Sequence, residues 1–302
     1  MTCVSDPTPT TVERPPAVFV DGHRQAGIVV TNDPRPVVVG APTSPDAAAG
    51  PERLVKSVDR VRDLGEVFTP ATTVQAMLDL LPPSMWVPHP SATFLEPACG
   101  DGNFLVAILE RKLAAVSDAH VAGNLPAGKS TGAVQFHALE ALASIYAVDI
   151  SVDNIVGGTT GHEIGARTRL LTVLTNWHQD RFGKSLTARG RLLRSAQWIV
   201  GHNLLVGNML STTADGQPTG RDNLPIIEYG WDPEAGTVSI RGTTLGAVMA
   251  ETEAETTGLM SLFGPPSPTH LWTGTASSLH QAPKTNAALP LGAVRNGKDR
   301  ER

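Results

Sequence analysis

The residues best placed to do chemistry lie in Thr93-Phe-Leu-Glu-Pro-Ala-Cys-Gly-Asp-Gly-Asn-Phe-Leu105, a short apolar strand that runs into a glycine turn and then a helix. Glycine lets the backbone approach a ligand closely and adopt positive φ, so Gly100 and Gly102 suit a turn that wraps a bound molecule. Glu96 closes the strand, and the carboxyl ends of strands in an open α/β sheet face the ligand crevice. Asp149 closes the next apolar run, Ile145-Tyr-Ala-Val-Asp149, where a carboxylate can accept hydrogen bonds from both hydroxyls of a ribose. Ile150 beside it can flank a flat base. A nicotinamide dinucleotide fingerprint does not fit. It asks for a third glycine where this chain has Leu105, and for an acid about 20 residues further on, whereas Asp149 lies much further away.

The elements around these residues read as alternating helices and strands. Thr69-Pro70 is expected to open a helix, with Thr69 as cap and Pro70 at the first helical position. Val74, Met77, Leu78 and Leu81 follow at helical spacing, and Pro82-Pro83 ends the run. Phe104, Leu105, Ile108, Leu109 and Leu113 make the apolar stripe of a second helix. Residues from about 117 to 135 are Gly-rich and polar and read as a surface insertion. Leu170, Leu171 and Leu174 with Ile164 mark a helix running towards Trp177, and another helix is expected to end near Trp198. Asn203-Leu-Leu-Val-Gly-Asn208 reads as a third buried strand. Ile226-Ile227 and Thr237-Val-Ser-Ile240 flank a turn at Asp232-Pro-Glu-Ala-Gly236 and predict a hairpin. Alternation of this kind points to an α/β fold with a largely parallel sheet.

The three segments Gly65-Glu-Val-Phe-Thr-Pro70, Glu96-Pro-Ala-Cys-Gly-Asp-Gly-Asn-Phe104 and Tyr146-Ala-Val-Asp-Ile150 together resemble the cofactor half of the DNA adenine-N6 methyltransferases of restriction-modification systems. The resemblance covers residues 64 to about 210. It implies a Rossmann-like methyltransferase fold with a doubly wound, largely parallel sheet, and S-adenosylmethionine as cofactor. It also implies that Glu96, Pro97, Gly100, Gly102 and Phe104 form the cofactor loop. Asp149 and Ile150 would hold the adenosine, and Phe68, Thr69 and Pro70 would close over the methionine end. Phe68 as a core staple and Thr69 as a helix cap are compatible readings. Asn208 stands where the family has an acid that contacts the adenine amino group of the cofactor; it offers a side-chain oxygen for that contact, or serves only as a turn residue.

The chain departs from the family at the catalytic loop. Adenine-N6 methyltransferases carry Asn/Asp-Pro-Pro-Tyr/Phe, whose polar side chain holds the target amino group and whose aromatic ring stacks on a base flipped from the duplex. No such tetrapeptide occurs here. Gly264-Pro-Pro-Ser-Pro268 has the prolines without the acceptor or the ring. Tyr229 and Trp231 are the aromatic candidates for base stacking, with packing of the hairpin on the sheet as their alternative role. Neither cysteine, Cys3 or Cys99, lies where a cytosine-C5 methylase needs its nucleophile, two cysteines make no disulfide framework, and no metal site is assigned.

Composition divides the 302 residues into an arm over 1–50, a methyltransferase-like domain over 51–250 and a low-complexity tail over 251–302. The arms are expected to be mostly disordered, since they bury too little apolar surface to offset ordering entropy. Ala17-Val-Phe-Val20 and Val37-Val-Val39 are exceptions that can pair briefly as strands. The net charge of −5 gives no general support to nucleic-acid binding. Between Ala166 and Ser195, however, Arg167, Arg169, Arg181, Lys184, Arg189, Arg191 and Arg194 face the single acid Asp180. They form either a face for a phosphate backbone or an ordinary solvated helix surface. No apolar run approaches the length of a membrane span and no signal peptide is visible, so a cytoplasmic protein is expected. Three functions stand at this point. The first is methyl transfer to adenine N6 in DNA, with a specificity or recognition subunit as a possible partner. The second is a degenerate methylase that binds cofactor and acts as a subunit. The third is a methyltransferase for a small molecule or protein.

Overall fold

The computed structural model describes residues 18–19, 58–64, 66–128, 130–158, 164–257 and 269–284. Its elements in chain order are β1 (Val18–Phe19), α1 (Val58–Leu64), α2 (Ala71–Leu78), β2 (Phe94–Glu96), α3 (Asn103–Ala122), α4 (Thr131–Ala143), β3 (Ile145–Asp149), α5 (Val152–Ile155), α6 (Ala166–Phe182), α7 (Arg191–Asn203), β4 (Leu204–Val206), β5 (Pro225–Asp232), β6 (Thr237–Thr244), α8 (Leu245–Thr257) and β7 (Thr269–Thr275). Single 3-10 turns at Pro83–Trp86 and Ala276–Gln281 complete the main elements. The architecture is mixed α/β. A parallel sheet runs β1-β2-β3-β4, and a separate antiparallel sheet runs β5-β6-β7. Among the described residues no helix is long and apolar enough to cross a membrane.

Side-chain alternation along the short parallel strands divides the core in two. Phe94, Ile145, Ala147 and Leu204 pack under α2, α3, α4, α6 and α7 in one large cluster. Leu95, Val148 and Leu205 belong to a second cluster with Ile226 and Leu245, onto which Leu224, Val248 and Met249 close. Each strand pairs with the one that precedes it, so strand order advances in one direction. Right-handed crossovers in such a series fall on one face. The other face is covered by α8 and the start of β5.

Two clamps join the antiparallel sheet to this core. The Tyr146 hydroxyl donates to the Ile227 carbonyl, and the Tyr229 hydroxyl donates to Asn203 Oδ1 at 2.8 Å. Asn203 in turn donates to the carbonyls of Ala143 and Ile145 at 2.8 and 3.2 Å, where α4 turns into β3.

Several expectations are corrected. The stretch from 117 to 135 is not an insertion: α3 continues to Ala122, Ser130 caps α4 by accepting from Ala133 N, and Ala133 and Val134 are buried with Val116 and Leu125. An apolar face shared by two helices, with Gly123 in left-handed conformation ending the first, hid behind the polar composition. In the supposed tail, Thr269–Thr275 pairs with β6 and Ala276, Leu279 and Ala282 are buried. Val18–Phe19 pairs with β2, as one of the two short segments was expected to; Val37–Val39 lies outside the described residues. The helix α7 runs on to Asn203 rather than ending near Trp198, and Ile164 lies exposed ahead of α6. At α2, Pro70 is the cap residue and its carbonyl accepts from Val74 N, so Thr69 makes no side-chain cap.

The basic stretch is also divided. Arg167 is fully buried and donates to the carbonyls of Leu204 (2.7 Å) and Gly201 (3.0 Å), satisfying the end of α7; burial holds its pKa down to about 10. Arg169 is tied to Asp101 at 2.8 Å. Lys184, Arg189, Arg191 and Arg194 are exposed.

Lys112 is the second cation inside the core. Its ammonium donates to Ser91 Oγ at 2.8 Å and Ala92 O at 2.7 Å and sits 4.9 Å from the Phe94 ring centre. Burial lowers its pKa to about 7, with the charge of Glu140 opposing. The unfolded chain, with an ordinary lysine value near 10.5, therefore binds the proton more tightly. Folding releases that proton between these limits, and stability rises as pH increases from about 7 towards 10.5. Chemical denaturation across this range should show that rising limb in the wild type and a flatter profile in Lys112→Met.

Candidate functional site

The glycine turn is built by the ends of β2 and β3. Cys99 N donates to the Val148 carbonyl and Gly102 N to the Cys99 carbonyl, which folds the chain back over the strand end. Gly100 has φ +54° and Gly102 φ +97°, both in the left-handed region that favours glycine. Space is restrictive as well. A Cβ on Gly100 would lie 3.1 Å from Phe68 Cε1, and one on Gly102 would lie 3.0 Å from Ala166 Cβ.

Asp149 holds this turn in place. Its Oδ2 accepts from Gly100 N at 2.8 Å, and its Oδ1 accepts from Ser151 N at 2.8 Å and Asn154 Nδ2 at 3.1 Å. An ionised carboxylate has about four lone-pair sites. One acceptor site on Oδ2 therefore remains for a ligand hydroxyl, not the two that a ribose diol would ask of it. Burial raises the Asp149 pKa, opposed by these hydrogen bonds and assisted by the charge of Glu66. The Cys99 thiol is pushed well up by burial, then by Asp149, Glu96 and Asp101, which keeps it protonated and unreactive.

The segment ahead of α2 closes the site from the other side. Asn103 Nδ2 donates to the Thr69 carbonyl at 3.2 Å, and Arg169 donates to Asn103 Oδ1 at 2.9 Å. Glu66 Oε1 accepts from Asn154 at 3.3 Å. Arg60 on α1 pairs with Glu66 and, at 2.8 Å, with Asp153.

The result is a crevice of about 790 Å³ beyond the carboxyl ends of β2, β3 and β4. Phe68, Thr69, Glu96, Pro97, Gly100 and Phe104 line it, together with Asp149, Ile150 and Asn208. Of the expected cofactor residues, Pro70 and Gly102 stand behind the lining, one capping α2 and the other starting α3 against Ala166. Phe68 is both a core side chain, 9% exposed, and part of the wall. Ile150 is 57% exposed at the rim, and Asn208 Oδ1 accepts from Leu210 N in a turn at the mouth. Glu66, Asn103 and Asn154 are lining residues that motif reading did not select. Glu66 already lay inside the quoted Gly65–Pro70 segment, while Asn154 is recognisable only once a short helix turns it back onto Asp149.

Tyr229 and Trp231 are not brought to the crevice. Their rings stack with centres 5.9 Å apart, and Trp231 meets Phe136 of α4 edge-on at 5.2 Å. They pack the hairpin on the helices α4 and α7, so the packing alternative holds with helices in place of the expected sheet. Gly264–Pro268 lies outside the described residues.

The electrostatic character of the crevice is one-sided. Glu66, Glu96, Asp101 and Asp149 line it, and no Lys, Arg or His does so among the described residues. Arg60 and Arg169 compensate two of these acids from behind. A phosphate-bearing ligand finds no counter-charge here, whereas a cationic one is favoured. No protein-family model, curated protein or solved structure gives a significant match to the chain.

Gly100→Ala tests the turn. Left-handed conformation and the crowded approach to Phe68 should cost about 1–2 kcal/mol of stability, read as a lower midpoint in chemical denaturation.

Proposed function

We propose that the chain binds S-adenosylmethionine in this crevice and transfers its methyl group to an adenine amino group in DNA, as the resemblance to restriction-modification adenine-N6 methyltransferases implies. The observation that carries the reading is the carboxylate-lined crevice, without Lys, Arg or His in its wall among the described residues, closed by a glycine turn and the Phe68–Pro70 segment. It argues against dinucleotide phosphates and suits a ligand with a sulfonium and an ammonium. On this reading the parallel strands are the cofactor half of a Rossmann-like methyltransferase sheet; a doubly wound sheet needs further strands beyond β2 on the side that β1 occupies.

Bound there, S-adenosylmethionine supplies an electrophilic methyl carbon on a positively charged sulfur. The chain's own residues do the rest by position. Oδ2 of Asp149 accepts one ribose hydroxyl, Ile150 covers a face of the adenine at the rim, and Phe68 with Thr69 shuts water from the methionine end. Glu96 and Glu66 supply negative potential for the cationic groups. Proximity and exclusion of water carry most of the rate advantage in such a transfer, since few proton-transfer groups are needed.

A second reading is favoured by one observation. The two aromatic rings that line the crevice among the described residues, Phe68 and Phe104, are buried at 9% and 6% exposure and offer no face to an extruded base. The chain would then be a cofactor-binding subunit whose partner supplies the base-holding loop.

Two experiments separate these. Calorimetric titration of S-adenosylmethionine should saturate with wild type and weaken about tenfold or more in Asp149→Ala, the scale expected when a hydrogen bond to a charged group is lost. NAD and ATP should not compete. Absence of binding to folded wild type rejects both readings. Transfer of tritiated methyl to unmethylated DNA by the full chain supports the enzyme, and binding without transfer supports the subunit.

A further inference from the structure

Away from the crevice, α4 carries His137 and Glu140 three residues apart, which puts both on one face of the helix. His89, between the Pro83–Trp86 turn and β2, reaches the same face. Glu140 Oε1 lies 2.7 Å from His89 Nδ1, and Oε2 lies 3.0 Å from His137 Nδ1. Donor atoms of the three residues all fall within 4.8 Å of one another. The two imidazole rings meet edge-on with centres 5.8 Å apart. His137 is 0% exposed and Glu140 2%, while the His89 side chain is open to solvent on one side.

The ring of His137 faces an acceptor at each nitrogen. Nε2 lies 3.1 Å from the Pro126 carbonyl oxygen, which can only accept, so Nε2 carries the proton. In the neutral ring Nδ1 then turns its lone pair towards the carboxylate, and two acceptors meet at 3.0 Å. Something positive belongs between them: a second ring proton or a metal ion. A metal-bound histidine characteristically donates its other N–H to a backbone carbonyl, as His137 does to Pro126. Donors at about 2.1 Å from a tetrahedral zinc stand roughly 3.4 Å apart, so the two nitrogen–oxygen spacings of 2.7 and 3.0 Å would open only slightly to admit the ion.

We propose that His89, His137 and Glu140 bind a divalent ion of the zinc type, which fastens the loop ahead of β2 to α4. Two imidazoles and a carboxylate are a donor set that zinc takes, with a fourth position left for water. That position opens on the exposed side of His89, which is also the path of entry. Asp232 at the end of β5 adds negative potential there. Ser91 N donates to Glu140 Oε1 at 3.2 Å, so the ion would hold the residues that lead into β2 and the glycine turn. Its role is structural. It does not depend on what the crevice binds.

The test uses the full chain without an affinity tag, freed of metal by a chelator and then titrated with zinc chloride by calorimetry and with cobalt chloride by visible absorption. The wild type should take up zinc, show the intense visible bands of a four-coordinate cobalt site, and melt at a higher temperature with zinc than without. His89→Ala and His137→Gln should bind at least about tenfold more weakly and lose the cobalt bands, since even loss of a partner outside the ligand set costs about that much. His270→Ala, an exposed histidine elsewhere, should behave as wild type. His89 is the more exposed of the two ligands, so its variant decides the matter if His137→Gln does not fold. Wild type that takes up no ion, or folded His89→Ala that binds as tightly as wild type, overturns the proposal.

Discussion

Three donors converge on the carboxylate of Asp149, and the arrangement of the crevice follows from them. Gly100 N comes from the turn after β2, Ser151 N from the residues after β3, and Asn154 from the short helix α5. One buried acid thus sets the height of the glycine turn, the start of α5 and, through Asn154 and Glu66, the path of the segment that closes the far side. Burying a carboxylate is costly unless its lone pairs are filled. Here three of about four are filled by the protein itself, so the group is held whether or not a ligand is present, with a single acceptor site directed outward. The same bonds that position the site also stabilise the fold.

Charges in the core follow the same rule. Arg167 and Lys112 are among the largest fully buried side chains, and each donates to carbonyl or hydroxyl oxygens. Arg167 closes the carbonyls at the end of α7, where the helix passes directly into β4. Lys112 gathers Ser91 and Ala92, which lead into β2. Both cations therefore sit at places where a helix or loop meets a parallel strand and the backbone leaves unsatisfied oxygens. That is also why a charge run in the sequence misled. Composition treats Arg167 and Arg191 alike, while burial makes one a helix cap and leaves the other in solvent.

What was legible in the chain was local. The strand, turn and helix around Glu96–Phe104, the strand ending in Asp149, and the hairpin with its turn at Asp232–Gly236 all follow from spacing over a dozen residues, and they are where they were expected. Nine of the lining residues were already marked by motif and resemblance. Relations across the chain were not legible. Nothing in Thr269–Thr275 announces a third strand, because none of its residues is buried and it is held by backbone pairing with β6. The α3–α4 pair was obscured by glycines that end one helix and precede the next. Tyr229 and Trp231 drew attention as unassigned aromatics, but only the register of β5 on β6 decides that they face Asn203 and Phe136.

The outer strand of the parallel sheet has a consequence for how the chain acquires its form. Val18 lies opposite Phe94 in the β1–β2 pair. That contact joins residues 76 positions apart in the chain, and only two residues of β1 stand in the pairing. The chain entropy lost in closing so long a loop has to be recovered from very little pairing, so a contact of this kind forms late and opens first. During synthesis β1 leaves the ribosome ahead of β2 and has no edge to join until β2 has been made and set beside β3. Order in the chain and order of assembly are therefore reversed at this edge, with the glycine turn complete before the strand beside it arrives.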